Sequence, residues 1–196
     1  MLDLLRDVPV SFEGDSVAVT DAAELILACW GKGVDLVDLA LKAGWKDFEQ
    51  LCSKILEKVG FQTVTNVRFK VGGSLRELDV LAFREPKVLA IDCKKWVKRR
   101  EGSLKSAARA HRERCTQLAK SLVELKEVKP IVSRWKEARL YPVVVDIHET
   151  ETRIFEGVPI VPLRKLISFV NELDAFEEEV HSISVDLKAV DRLELR

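Results

Sequence analysis

Between residues 20 and 59 the apolar positions recur at helical spacing. After Thr20, a candidate N-cap, Ala22, Leu25, Ile26, Cys29 and Trp30 make one stripe, and Gly31-Lys32-Gly33 interrupts it before Leu36, Val37, Leu39 and Ala40 begin another. Short helix, turn and short helix describe either a helix-turn-helix or a two-helix cap over the main body. In the second stretch, 34–43, Lys42 is the only base, which weighs against a groove-reading role. A stronger stripe follows, with Phe48, Leu51, Cys52, Ile55, Leu56 and Val59 on one face, Asp47 and Gln50 spaced like a capping box, and Gly60 as the stop.

The period then changes to that of strands. Residues 62–71, 75–83 and 87–94 read as three strands divided by Gly72-Gly73 and Glu85-Pro86, and connections this short imply an antiparallel meander. A polar break at Glu101-Gly102 precedes a helix over 103–126 that carries Leu104, Ala108, His111, Cys115, Leu118, Leu122 and Leu125 as its stripe. Residues 140–147 form the continuous apolar run of a strand buried on both faces, 158–161 a short strand, and Pro162 opens a helix through Leu163, Leu166, Ile167, Val170 and Leu173. The order αβββαβ makes this an α/β chain with a mixed central sheet flanked by helices. Three parts are expected: a small helical appendage over 1–44, the body over 45–173, and an acidic tail over 174–196. In the tail, the alternation of His181, Ile183, Val185 and Leu187 fits an edge strand or a dimer contact.

Composition adds one feature to this picture. The 196 residues are 47% hydrophobic and carry 32 basic and 32 acidic side chains, a balance that excludes a bulk polycation and a disordered tail protein. The even total hides a basic middle, because the net charge is −4 over 1–93, +10 over 94–139 and −6 over 140–196. No apolar run approaches the roughly 18 residues of a membrane span, and the first residues lack a basic segment before an apolar one, so a soluble, cytoplasmic protein without a membrane partner is expected. Cys29, Cys52, Cys93 and Cys115 contain no Cys-x-x-Cys pair and sit among apolar residues, which suits reduced core thiols better than zinc ligands. Three Gln, two Asn and one Met beside so many charges are the bias of proteins from hot environments.

The second and third strands bring acids together. Pairing Phe83 with Val88 across the Glu85-Pro86 turn sets Leu81 opposite Ala90, Asp79 opposite Asp92 and Glu77 opposite Lys94, all on one sheet face. Opposed carboxylates repel, by about 0.2–1 kcal/mol when exposed and by more when desolvated. Either a structural ion-pair cluster with Lys94 and Arg76 compensates them, or a divalent cation does, and oxygen-only ligands favour magnesium or manganese over zinc. Glu49, at the border of the Phe48 stripe, is a candidate third acid; its alternative is an ordinary solvated flank.

Phe48-Glu49 at a helix start, Glu77-Leu78-Asp79 on a strand and Ile91-Asp92-Cys93-Lys94 on the next resemble the active-site motif of the PD-(D/E)XK nuclease superfamily. Within it the chain, over about 45–173, resembles archaeal Holliday-junction resolvases and the catalytic domain of Mrr-type restriction endonucleases. The resemblance implies a restriction endonuclease-like fold and a Mg2+-dependent DNA endonuclease, with Mn2+ as the other candidate ion. Asp79, Asp92 and the Cys93 carbonyl would hold the metal, Glu49 would assist directly or through water, and Lys94 would orient or activate the attacking water. Leu78 stands where the family pattern has proline, which leaves Glu77 as an alternative ligand. Lys95, Lys98, Arg99 and Arg100 follow the active-site strand, and Lys105, Arg109, Arg112, Arg114 and Lys120 continue along the helix, a basic track suited to DNA phosphates. Trp96 either stacks on a base or packs, and His111 belongs to the core stripe rather than to catalysis. Cutting both strands asks for two sites, hence a homodimer. A catalytically inactive nucleic-acid-binding module on the same scaffold and an RNA-directed nuclease are the competing readings. If the basic track binds nucleic acid, affinity falls steeply with salt, and Arg99→Ala/Arg100→Ala lowers the salt slope by about one for each phosphate-pairing charge removed; a titration from low to high salt that returns the parental slope removes these residues from the interface.

Overall fold

The computed structural model describes residues 9–14, 16–96 and 101–187, without the side chains of Phe12, Glu13 and Val17. In chain order the elements are β1 (Val10–Glu13), β2 (Ser16–Val19), α1 (Ala22–Gly31), α2 (Leu36–Lys42), α3 (Trp45–Lys58), β3 (Gln62–Val71), β4 (Ser74–Arg84), β5 (Lys87–Lys94), α4 (Glu101–Ala119), α5 (Lys129–Val132), β6 (Arg139–Asp146), β7 (Ile154–Phe155), β8 (Val158–Pro162), α6 (Leu166–Glu172) and β9 (Ile183–Ser184). Among the described residues, seven strands form one mixed sheet in the order β3-β4-β5-β6-β8-β7, with β9 also paired to β6, while β1 and β2 pair with each other in a separate two-stranded sheet. The expected αβββαβ order runs from α3 to β6, and this helix-flanked mixed sheet is consistent with a restriction endonuclease-like fold.

The meander is antiparallel and in the register expected from sequence, with Phe83 opposite Val88 and Leu81 opposite Ala90. The β5–β6 pairing is parallel, Lys87 with Arg139 through Lys94 with Asp146, so the connection between them must cross over the sheet, and α4 makes that crossing. Alternation then divides the core between two faces. Val80, Ala82, Leu89, Ile91 and Cys93 pack with Phe48, Leu51, Cys52, Ile55 and Leu56 of α3, whereas Leu81, Phe83, Val88 and Ala90 pack with Cys115 and Leu118 of α4. β6 is buried on both faces, as its unbroken apolar run requires.

Ala23, Ile26 and Leu27 of α1 and Leu36 and Ala40 of α2 join the same cluster as α3. The two helices therefore lie on α3 as a cap, tied down by ion pairs of Lys54 with Asp21 and Glu24 and by the Asp35 pair with Arg164.

Several boundaries differ from the sequence expectation for local reasons. The cap of α1 is Asp21, whose carboxylate accepts the Glu24 N–H, and not Thr20, which bonds back to the Pro9 carbonyl. α3 starts at Trp45; Asp47 stands in its first turn and its carboxylate accepts the Gly44 N–H, while Gln50 reaches Thr65. α4 stops at Ala119 instead of 126, because the Lys120 and Ser121 N–H groups turn to the carbonyls of Gln117 and Leu118, three residues back, with no Gly or Pro to announce the change. Leu122 stays in the core through a short 3-10 turn. The tail pairs Ile183 and Ser184 with Leu140 and Arg139, the edge-strand alternative. The four cysteines among these elements are free thiols, and no helix of the described residues is long and apolar enough to cross a membrane.

The α3 stripe joins cap to sheet, so truncating its fully buried members should cost the most: Phe48→Ala is expected to lower stability by about 3–5 kcal/mol in urea unfolding, against less than about 1 kcal/mol for Lys46→Ala on the exposed flank of the same helix.

Candidate active site

The site lies where β4 and β5 part. Their ladder ends at Val80 and Ile91, while β4 continues along β3 to Ser74 and β5 continues along β6 to Lys94. Asp79 and Asp92 are the next residues on either side of the opening. The Asp79 carboxylate takes over from the backbone there, accepting the Cys93 N–H at 2.7 Å. On the other flank of β4 the β3 ladder skips the step between Asn66 and Asp79, and Asn66 takes φ of 55°, a left-handed conformation that Asn tolerates better than most side chains.

That step also breaks the alternation expected along β4. Leu78 joins the α4-side cluster together with Leu81 and Phe83, and Val67 and Phe69 of β3 join it too. Glu77 is thereby turned away from its expected place opposite Lys94. It stands across from Arg68, and the two side chains pair at 3.0 Å, while its charge still reaches Glu49.

Asp92, only 3% exposed, is held between two cations: Oδ1 lies 3.2 Å from Arg114 Nη1 and Oδ2 2.6 Å from Lys94 Nζ, the second an ion pair rather than an aligned hydrogen bond. Lys94 in turn lies 5.8 Å over the Trp96 ring, and Trp96 packs on the cluster of Leu104, Ala108 and Val144, the packing alternative for that residue. Glu49 enters from α3 and is 6% exposed. Burial pushes its carboxyl above the ordinary range, and the Asp79 charge adds to the rise, with the Trp45 indole opposing it. Burial also raises Asp79, followed by repulsion from Asp92; the Cys93 N–H, Lys94 and Arg114 offset part of this. Asp79 is thus coupled to Glu49 on one side and to Asp92 on the other, the Glu77 charge also raises Glu49, and Glu49 is a buried group and not a solvated flank.

His111 sits beneath this cluster on α4, fully buried, with Nε2–H donating to the Ala90 carbonyl at 2.8 Å. Burial holds its pKa below the usual histidine value, against the pull of Asp92, so it supports the sheet as a neutral ring. The Cys93 and Cys52 thiols meet behind the site and both are buried, and their contact with burial keeps Cys93 protonated.

The basic track divides. Lys95 reaches back to the Ala43 carbonyl at the end of α2. Lys98, Arg99 and Arg100 lie outside the described residues. Lys105, Arg109 and Arg112 do not turn to the acids: Arg109 pairs with the Glu156 carboxylate, Arg112 with the Glu156 carbonyl at 3.0 Å, and Lys105 and Arg109 lie 5.8 and 5.5 Å from the Phe155 ring. Helical spacing separates them from Arg114, which falls on the opposite flank of the α4 stripe. Arg114 is the site residue that sequence reasoning left undistinguished within a run of bases; its place two residues after Arg112 and one before the buried Cys115 was the available signal. Asp146, buried at the end of β6 and in register with Lys94, was likewise not singled out.

Asp79, Asp92 and the Cys93 carbonyl are the groups here that could hold a metal ion. All are oxygen donors, and the Asp92 repulsion that adds to the burial raising Asp79 is what a hard divalent cation relieves, so their chemistry suits magnesium or manganese. Among the described residues no three His, Cys, Asp or Glu side chains come together as a metal cage. A cation at this place would complete its shell with water and phosphate oxygens, the usual habit of magnesium.

Residues 40–134, which contain Glu49, Asp79, Asp92, Lys94 and Arg114, match a family model described as restriction endonuclease, Mrr_cat. An uncharacterized protein of Archaeoglobus fulgidus is 29% identical over 137 residues, which are 69% of this chain and 95% of that protein. Among solved structures, a protein of unknown function, AF1548, is similar at 15% identity with a TM-score of 0.37, covering 63% of this chain and 65% of its own, so this chain spans just under two thirds of its length. An XisH family protein from Nostoc punctiforme PCC 73102 is similar at 21% identity with a TM-score of 0.33, covering 67% of this chain and 84% of its own.

Glu49 and Asp79 keep their protons to higher pH in the folded chain than in the unfolded one, so their protonated forms favour folding and stability declines as pH rises through the raised values. Glu49→Gln is therefore expected to raise the melting temperature at pH near 7.5, by about 2–4 °C for roughly 1 kcal/mol, and to leave it unchanged near pH 4; a variant that melts no higher than the parent at neutral pH would show that Glu49 is not strained by its neighbours.

Proposed function

Residues 40–134 match a restriction endonuclease domain, which is consistent with a PD-(D/E)XK restriction endonuclease-like nuclease, and from that premise we propose that the chain hydrolyses DNA phosphodiester bonds at the opening between β4 and β5 with Mg2+, or Mn2+, as cofactor. The observation that carries this reading is the convergence, from three separate elements, of Glu49, Asp79, Asp92 and Lys94 at one break in the sheet ladder. Asp79 and Asp92, with the Cys93 carbonyl, would hold the ion. Such an ion, when bound, lowers the pKa of a bound water and polarises a phosphoryl oxygen.

The protein side chains supply the rest. The Lys94 ammonium, fixed beside Asp92, stabilises negative charge developing on the phosphate or orients the attacking water. Glu49, its carboxyl raised toward neutrality by burial and by Asp79, is suited to exchange a proton with that water directly or through a second one. The Lys98-Arg99-Arg100 run that follows the active-site strand in the sequence would add positive charge for the DNA backbone. Breaking both strands of a duplex requires a second copy of the site, so the proposal includes a homodimer.

Plasmid, branched DNA and structured RNA, each incubated with and without magnesium, test the reading. Cleavage of a DNA substrate that depends on the ion is expected; Lys94→Met should lower it at least about 100-fold while DNA and metal binding persist, because an ammonium is a poor metal ligand and the Met stem fills most of its space. Binding without cleavage of any substrate would turn the assignment to the inactive binding module, and cleavage confined to RNA would turn it to an RNA-directed nuclease.

A further inference from the structure

Arg114 is the α4 cation that reaches the acid pair. Its Nη1 is 3.2 Å from Asp92 Oδ1 and 3.3 Å from the Glu77 carbonyl, so it spans the opening and touches both strands that form it. With Lys94 on the other oxygen, Asp92 meets protein cations on both sides. A metal ion entering at Asp92 competes directly with that guanidinium, which cannot shed its charge to make way. The Arg114 side chain is 27% exposed, open enough on one flank to meet an anion from solvent. Arg109 and Arg112, by contrast, are occupied at Glu156.

Resting on the metal-site reading above, we propose that Arg114 is a counter-ion shared between Asp92 and the substrate. It neutralises Asp92 until a divalent cation takes that carboxylate, and the released guanidinium then pairs with a backbone phosphate, for which its planar array of donors is well shaped. Metal and DNA consequently bind with positive coupling. A phosphate that draws Arg114 off Asp92 clears the carboxylate for the ion, and an ion that displaces Arg114 frees it for the phosphate. Linkage requires the factor to be the same in both directions, and displacement of one charged contact places it within about 5–150-fold. The arrangement keeps the acid pair compensated when no substrate is present and assembles the charged site only on DNA.

Calorimetric titration of the full chain with manganese, alone and with a non-cleavable phosphorothioate DNA, tests this without reading turnover. The parent protein is expected to bind manganese at least about 5-fold tighter when DNA is present. Arg114→Gln should bind manganese more tightly than the parent in the absence of DNA, bind DNA more weakly, and lose the coupling; Arg114→Lys, which keeps the charge and serves should the Gln variant unfold, should retain a reduced coupling. Arg114→Gln that keeps the parental coupling, or Arg114→Gln and Arg114→Lys that both bind manganese as the parent does without DNA, would overturn the proposal. Asp79→Asn separates the two levels of inference. If it abolishes manganese binding while both Arg114 variants behave as the parent, the metal site stands and the shared counter-ion falls; if the parent itself takes up no manganese with or without DNA, both fall together.

Discussion

Two carboxylates of like charge, Asp79 and Asp92, are set side by side at the point where neighbouring strands separate, and the surrounding structure answers that repulsion. Leaving a buried carboxylate with no partner costs about 3–5 kcal/mol, a large share of a domain's stability, so the compensating groups together are as much part of the fold as the apolar core. They come from different elements. Lys94 follows Asp92 on the same strand, Arg114 arrives from α4, and the Cys93 N–H caps Asp79 where the ladder has no partner to offer. The opening itself is sustained from the far side of β4, where Asn66 takes a left-handed conformation and the β3–β4 ribbon turns its faces over. Burial of Leu78, Val67 and Phe69 on the α4 side then holds the ribbon in its new orientation. One local break in pairing thus connects both core clusters to the acid pair.

Most of the architecture was legible because it follows from periodicity. The α3 stripe, the meander and the β6 run each combine a strong apolar period with clear stop signals, and the Phe83–Val88 register followed from the two-residue Glu85-Pro86 turn alone. The strands missed were β1, β2 and β7, of four residues or fewer, too short for alternation to stand out. The end of α4 was missed because Ser121 and Leu122 carry no breaker chemistry; the helix tightens there to bury Leu122 and Val123 together, a tertiary demand that no local pattern records.

Within the site, the boundary of what sequence can say falls at Asp79. Register counting placed Asp79 near Asp92 correctly, because both lie one step beyond an intact ladder. It then misplaced Glu77, because counting assumes that alternation continues, and the reversal at Asn66 and Asp79 is a backbone conformation rather than a side-chain pattern. The basic track divides for a related reason. Composition shows that 94–139 is strongly basic, yet helical phase sends Lys105, Arg109 and Arg112 to Phe155 and Glu156 and sends Arg114 to Asp92. A charge total cannot distinguish a base on the acid-pair flank of the helix from one that contacts another part of its own chain.

Lys94 and Arg114 bind the same carboxylate with different chemistry, and the difference bears on what each can do once an ion and a phosphate arrive. A lysine ammonium is a compact charge with three donors, and here it is 17% exposed, 2.6 Å from Asp92 Oδ2 and 5.8 Å over the Trp96 ring, placed to serve a neighbouring oxygen without leaving Asp92. A guanidinium has a fixed planar shape and is anchored here to the Glu77 carbonyl as well as to Asp92, so it must release a defined partner when it turns to another anion. In the proposed exchange, charge supplied by Lys94 therefore stays within the site, whereas charge supplied by Arg114 is transferred. A site compensated by two lysines would lack such a defined exchange, and one compensated by two arginines would hold both oxygens of Asp92 in rigid contacts that an entering ion had to break at once.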